Sequence, residues 1–463
     1  MKLTPKILAY SSILVYWGPS NALFYGWGFL LLVALALIKT EWISPVTRNQ
    51  KNITICILAF FAVVVISCLV NFLSQNTSLN NLLWTLITYG SSFAALHVFL
   101  NLPYHEDDIK SIVKFSLIIT LLEIVLGYYQ MLFGSSFQSF NPFTLNSNEA
   151  GAAGDLFVGT TFDVGIGNEV AVKVSMVALL FFPFWVASKS FKNSLLLIFL
   201  FIGWLLPSAI YTLFIGLSVI FLYFLFKRIV MAFQTLRLSL TIFLTAALVF
   251  VSVLAFMTLQ PSNISYVKVL VTRGYNTLTE EHVDNPLGKL VYYKETFASL
   301  FSEYPHATLI GVGPGNYSSR SAWLVSGAYL DNQPLYIPVT PSKAAQNYTL
   351  TFWRKEFITK AFPDASSITY QPFSSWLSVF SEFGILGLFF FTGVFYFMSK
   401  IIDKVEARED KKLSNFVLGT RIVTTYILLL FFFDNLFEWP LVMGQFFILI
   451  GLLARIQAIH EMK

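Results

Sequence analysis

Six basic residues, Arg273, Lys289, Lys294, Arg320, Arg354 and Lys355, fall within one aromatic, proline-broken stretch between residues 259 and 374. A guanidinium grips a carboxylate or phosphate through two parallel hydrogen bonds, and an ammonium offers a point charge. Singly, each is a solvated surface charge; as a set they suit an anionic ligand. Asp163, Glu169 and Lys173 form a second group, in which the four-residue spacing puts Glu169 and Lys173 on one helix face. That spacing serves either an intrahelical ion pair or contacts to a substrate. Glu382 and Glu169 are the carboxylates able to take a proton from a hydroxyl, and His306 is a further candidate. The run Gly311-Val312-Gly313-Pro314-Gly315-Asn316-Tyr317 forms a turn. It follows a helical pattern and lacks a downstream Lys-Ser/Thr, which argues against a nucleotide loop. Backbone at Gly313 and Gly315 could still lie against a sugar or pyrophosphate. Tyr317, Trp323, Tyr336 and Trp353 could stack on sugar faces or simply pack.

Common catalytic motifs are missing: there is no Walker lysine loop, HExxH, CxxC or GxSxG. The five histidines, at 97, 105, 282, 306 and 460, show no metal-ligand spacing, so no metal or cofactor is expected. The two cysteines, Cys56 and Cys68, stand twelve residues apart in one apolar block, about 18 Å along a helix and beyond disulfide reach.

The elements that must position these groups are dictated by composition. Of 463 residues, 56% are hydrophobic and 12% charged, about half the charge of a soluble domain. The apolar residues arrive in blocks near the length that crosses about 30 Å of hydrocarbon. These blocks predict an all-α polytopic membrane protein with about 12 spans: 6–17, 20–38, 53–73, 82–101, 111–133, 168–187, 193–206, 208–227, 238–258, 375–399, 416–433 and 436–454. Lys2, Lys6, Lys39, Arg48, Lys51, Lys110, Lys189, Lys192, Lys227, Arg228, Arg237, Lys400 to Lys412, Arg455 and Lys463 then all fall on one side. The opposite short loops, around Trp17, 74–81, 207 and 434–438, hold no Lys or Arg. The positive-inside rule places both termini in the cytoplasm, and the net charge of +5 reports topology, not nucleic-acid binding. Three regions follow: 1–258 with helices 1 to 9 and an outer loop at 134–167, the large extracytoplasmic loop 259–374, and 375–463 with helices 10 to 12 and a cytoplasmic tail. Within the large loop, Leu290, Tyr293, Phe297 and Leu300 recur at helical spacing over 286–301 and predict an amphipathic helix. Ionisable groups within or beside spans, Glu123, Asp163, Glu169, Lys173, Glu382, Arg421, Asp434 and Glu438, are functional candidates because each is costly in hydrocarbon unless paired.

Several segments, taken in order, resemble the O-antigen ligase and polymerase superfamily, the Wzy-type bacterial polysaccharide polymerases and their ligase relatives. Gly159-Thr160-Thr161-Phe162 with Gly167-Asn168-Glu169 is similar to the segment that opens a span after an outer loop. Gly288-Lys289-Leu290 through Phe301, then Leu309 to Tyr317, resembles the family's amphipathic helix and glycine turn. Ser374-Ser375-Trp376-Leu377 with Ser381-Glu382-Phe383-Gly384 through Leu388 looks like its following span. Asp434-Asn435-Leu436-Phe437-Glu438-Trp439-Pro440 resembles the turn of its last hairpin. The resemblance covers about residues 150–455. There are departures: Lys289 stands where the family commonly has Arg, and Ser208-Ala209-Ile210 replaces a Ser-Arg-Gly of ligases. Phe373-Ser374 stands where ligases carry the His-Asn that includes their base, which favours a polymerase over a ligase.

The resemblance implies a metal-independent, GT-C-like glycosyltransferase in a bacterial inner membrane. Its donor would be a glycan on undecaprenyl pyrophosphate, its acceptor the sugar hydroxyl of the next lipid-linked repeat, and its product O-antigen, capsule or exopolysaccharide. Membrane lipids, a chain-length regulator and a flippase are the implied partners, with no nucleic acid. Lys289, Arg273 and Arg320 would stabilise the leaving pyrophosphate, with Glu382 as base. Lys173, Asn168, Glu169, Lys294, Gly313, Gly315, Tyr317 and Arg354 would bind substrate. A secondary transporter or flippase is the competing class. It is disfavoured because the two halves of the chain differ and the charges gather at one face.

Overall fold

A computed structural model describes residues 3–18, 26–74, 77, 79–138, 160, 167–188, 190–205, 210–231, 272, 274–277, 279, 288–325, 342–349, 373–406 and 413–462. Every regular element among them is helical. The long helices are α1 (Pro5–Trp17), α2 (Trp27–Ile38), α3 (Arg48–Ser74), α4 (Leu79–Asn101), α5 (Glu106–Gln138), α6 (Gly167–Ser188), α7 (Phe191–Leu205) and α8 (Ile210–Met231). Shorter ones follow, among them α9 (Gly288–Glu295) and α10 (Arg320–Val325), then α11 (Ser375–Glu406), α12 (Ser414–Leu430) and α13 (Pro440–Met462). Helices stand at each expected span except the ninth, 238–258, which lies outside the described residues. Among the described residues five helices, α3, α4, α6, α11 and α13, are long and apolar enough to cross a membrane.

The last helix begins later than its hydropathy suggests. Residues Leu436–Glu438 form a 3₁₀ turn and α13 starts at Pro440. Proline suits the first helical turn, where its missing N–H would have no partner, and Glu438 is held out of the helix by backbone donors described below. The expected amphipathic helix is α9, continued by a π turn at Thr296–Leu300 and a last turn at Phe301–Glu303.

Packing is dominated by aromatic side chains. Phe93 meets the Phe437 ring at 4.6 Å, Phe391 meets Phe437 at 4.8 Å, and Phe60 meets Phe383 at 5.2 Å. These contacts tie α3, α4, α11 and the 3₁₀ turn into one body, each adding roughly 0.5–1.5 kcal/mol beyond burial. Outward, α2, α3 and α11 present Leu37, Leu69 and Phe389 to their surroundings, each more than two-thirds exposed. So much exposed large apolar surface is a liability in water and ordinary against lipid.

Candidate functional site

Where α3, α4 and α11 meet the turn before α13, the segment from Gly311 to Ser321 runs as a buried strap. Two carboxylates hold it through its backbone. Glu382 accepts the N–H groups of Gly315 at 2.8 Å, Tyr317 at 3.1 Å and Ser319 at 3.0 Å. Glu438 accepts those of Arg320 at 3.0 Å and Ser321 at 3.2 Å, and the Thr88 hydroxyl at 3.1 Å. The strap begins where α11 is broken at Gly384, whose φ of 64° is left-handed. That break frees the Ser381 and Glu382 carbonyls, which accept the N–H groups of Val312 and Gly313 at 2.9 and 3.1 Å. A Cβ on Gly311, itself at φ 75°, would sit 2.0 Å from the Glu382 carbonyl carbon, so the two backbones touch where only glycine fits. Asn71 donates to the Gly311 carbonyl and Asn81 to that of Gly315, both at 3.0 Å. The sugar-holding residues expected at Gly313 and Gly315 are thus inside this strap, and the Gly315 N–H is occupied by Glu382.

The strap delivers Arg320 to a cluster of charge. Its guanidinium donates to Asp434 at 3.3 Å and to the Asn435 carbonyl at 3.2 Å, and lies 3.8 Å above the Trp439 ring and 5.0 Å from that of Phe373. From α9, Lys289 enters the same neighbourhood, where Asp434 is its electrostatic partner. The Lys289 ammonium is buried and makes no hydrogen bond among the described residues. Burial pushes it down to about 8, with Asp434 opposing the fall. Glu438 is pushed up to about 8, first by burial and next by the charge of Glu382, against the donors that grip it. One helical turn beyond Lys289, the Tyr293 hydroxyl lies 2.7 Å from Ser374 Oγ and donates to the Phe432 carbonyl at 3.0 Å. These bonds fasten α9 to the mouths of α11 and α12.

The other residues singled out from the sequence are placed as follows. Tyr317 is buried, its hydroxyl 2.9 Å from Thr296 Oγ1, which makes it a strap anchor. Lys294 is exposed on α9, and Asn168 stands at the start of α6. Lys173 and Glu169 belong to a second group at the end of α1. Lys173 donates to the Tyr16 carbonyl at 2.5 Å and lies 5.3 Å from the Trp17 ring, with Glu169 and Glu123 as electrostatic neighbours. Glu123 accepts the N–H and hydroxyl of Thr160 at 2.7 and 2.6 Å. The Lys173 bond satisfies the Tyr16 carbonyl near the end of α1, where carbonyls lack helical donors. Arg273, Arg354, Asp163, Tyr336, Trp353 and Lys355 lie outside the described residues.

The sequence marks Asp434 and Glu438 as ionisable groups but not their partners, and a layer of buried hydroxyls accompanies them. Ser375, Ser378 and Ser381 repeat at three-residue intervals on one face of α11, and Ser318 and Ser378 meet at 3.0 Å. That periodicity was available as a signal, since a serine stripe on an apolar helix marks a face that must find polar neighbours. A scan against models of known protein families gives no match, and no curated protein matches the chain.

Proposed function

We propose that this protein is a polysaccharide polymerase of the GT-C-like kind. It would join oligosaccharide repeats carried on undecaprenyl pyrophosphate at the outer face of a bacterial inner membrane. In this reading about 12 spans cross the bilayer, both termini are cytoplasmic, and the strap and α9 lie on the outer side. One observation carries the reading: Lys289 and Arg320 converge on Asp434 at one end of an apolar bundle, and the Lys289 ammonium is buried without a hydrogen bond to any described residue. Holding a cation so costs several kcal/mol, a cost expected where an anion must be bound.

The chemistry follows from that charge. The acceptor sugar hydroxyl attacks the anomeric carbon of the donor, the bond from that carbon to the pyrophosphate oxygen breaks, and negative charge grows on the leaving group. Lys289 and Arg320 stabilise it in a partly dry site, where fixed charge is most effective. The hydroxyl proton must pass to a base. Glu382 is poorly disposed for this, because both its oxygens face strap N–H groups.

The test is a reconstituted assay of the purified chain with lipid-linked repeat units, read as a ladder of longer glycans. The ladder is expected with wild type, and Lys289→Ala is expected to slow it by about 10²–10³, the loss typical of one transition-state donor. Transfer to a lipid A-core acceptor instead would make the protein a ligase. Neither activity, with lipid- or ion-coupled flux in vesicles, would make it a transporter.

A further inference from the structure

Beside the buried cations lies a cavity of about 500 Å³, lined by Thr277, Leu290, Tyr293, Lys294, Phe297 and Ala298. Five of these share one face of α9 and its continuation, at three- and four-residue spacing. Among the described residues of the lining, Lys294 is the charged one. The neighbouring Glu295 turns to the Ser299 hydroxyl at 2.5 Å. These residues set a lysine among apolar and aromatic side chains, which suits an amphiphile with an anionic head.

The cavity's surroundings say where such a molecule would come from. Phe297 is 60% exposed and its ring lies 5.7 Å from that of Phe380, which also meets Phe301 at 4.8 Å. Phe380 stands near the start of α11, a helix long and apolar enough to cross a membrane, and beyond it α11 exposes Ile385, Leu386 and Phe389. An aromatic cluster at the head of an exposed apolar helix face is the arrangement found at the membrane-water boundary. Tyr293 is shared: its ring lines the cavity, while its hydroxyl is fixed to Ser374 and the Phe432 carbonyl, beside Asp434.

We propose that this cavity docks a phosphate-bearing membrane lipid. The chain lies against Phe297, Phe380 and the exposed face of α11, and the phosphate meets Lys294. That the lipid is the polyprenyl-linked substrate rests on the polymerase reading; that the cavity takes a lipid phosphate does not.

The test uses the full chain in lipid nanodiscs, with photoreactive benzoylphenylalanine in place of Phe297. It is irradiated with polyprenyl phosphate or with uncharged polyprenol, and lipid adducts are counted by mass spectrometry. The phosphate is expected to label about tenfold more than the alcohol, the effect of one charge-assisted contact. Lys294→Gln is expected to bring that ratio to about one, and a probe in place of Phe389 to show no preference. Equal labelling by the two lipids, or a ratio unchanged by Lys294→Gln, overturns the proposal. Should the Phe297 variant fail to fold, a probe at exposed Ala298 reads the same cavity. Selective labelling without a glycan ladder would keep the docking site and remove the polymerase; a ladder without selective labelling would do the reverse.

Discussion

Replacing Lys289 by methionine removes a charge while keeping the length and apolar stem of the side chain. Lys289 falls from an ordinary 10.5 to about 8 in the folded protein. The difference corresponds to about 3 kcal/mol by which folding disfavours the charged form. The sign is fixed by proton counting. Between pH 8 and 10.5 the unfolded chain holds a proton that the folded chain has released, so the wild type gains stability as pH rises through that window. Below pH 8 it bears the whole cost. Lys289→Met bears none at any pH, and Asp434 keeps Arg320 as its ion-pair partner at 3.3 Å. The variant is therefore expected to be more stable than wild type by up to about 3 kcal/mol near neutral pH, the margin closing by pH 10.5. Its polymer formation should also be slowed by about 10²–10³, the trade-off expected when a destabilising charge is kept for function. Thermal unfolding of both proteins in detergent across this pH range checks it. A variant less stable than wild type by the same margin at every pH would show that Lys289 serves the fold, and the anion-site argument would fall.

Three further expectations concern the strap. Glu382→Gln keeps one acceptor oxygen but presents an amide donor to backbone N–H groups, and should cost about 2–4 kcal/mol, seen as a lower melting temperature and faster proteolysis; lost rate with unchanged melting would restore Glu382 as a base. Gly311→Ala puts a Cβ against the Glu382 carbonyl at positive φ and should abolish the monodisperse folded species on gel filtration, whereas a normal profile would mean that the strap and α11 are not locked. Because Glu438 is raised to about 8, the folded chain retains a proton over pH 4.5–8 that the unfolded chain releases, so stability should fall as pH rises through that interval; Glu438→Gln should flatten the fall, and an unchanged slope would assign it to another group.

The helices were legible because hydrocarbon imposes a length and composition on any segment that crosses it. Pro440 and the apolar run after Asp434 blurred the start of the last helix, since hydropathy does not register a carboxylate drawn aside by donors more than a hundred residues away. Lys289 and Arg320 were legible as basic residues in the long loop. Their convergence was not: Arg320 and Asp434 are 114 residues apart. Glu382 shows the same limit from the other side. As a carboxylate beside a span it is a candidate base, and only the strap, 63 to 67 residues away, shows both its oxygens engaged by backbone donors.

The central claim is that Lys289 is kept buried and charged to receive a pyrophosphate. Its most direct test is the rate of glycan ladder formation from lipid-linked repeats by wild type, Lys289→Arg and Lys289→Met, each shown to be folded by its melting curve. A ladder is expected from wild type, a slower one from the arginine variant, and one slowed by about 10²–10³ from a methionine variant that melts no lower than wild type. A methionine variant that polymerises at the wild-type rate would contradict the claim.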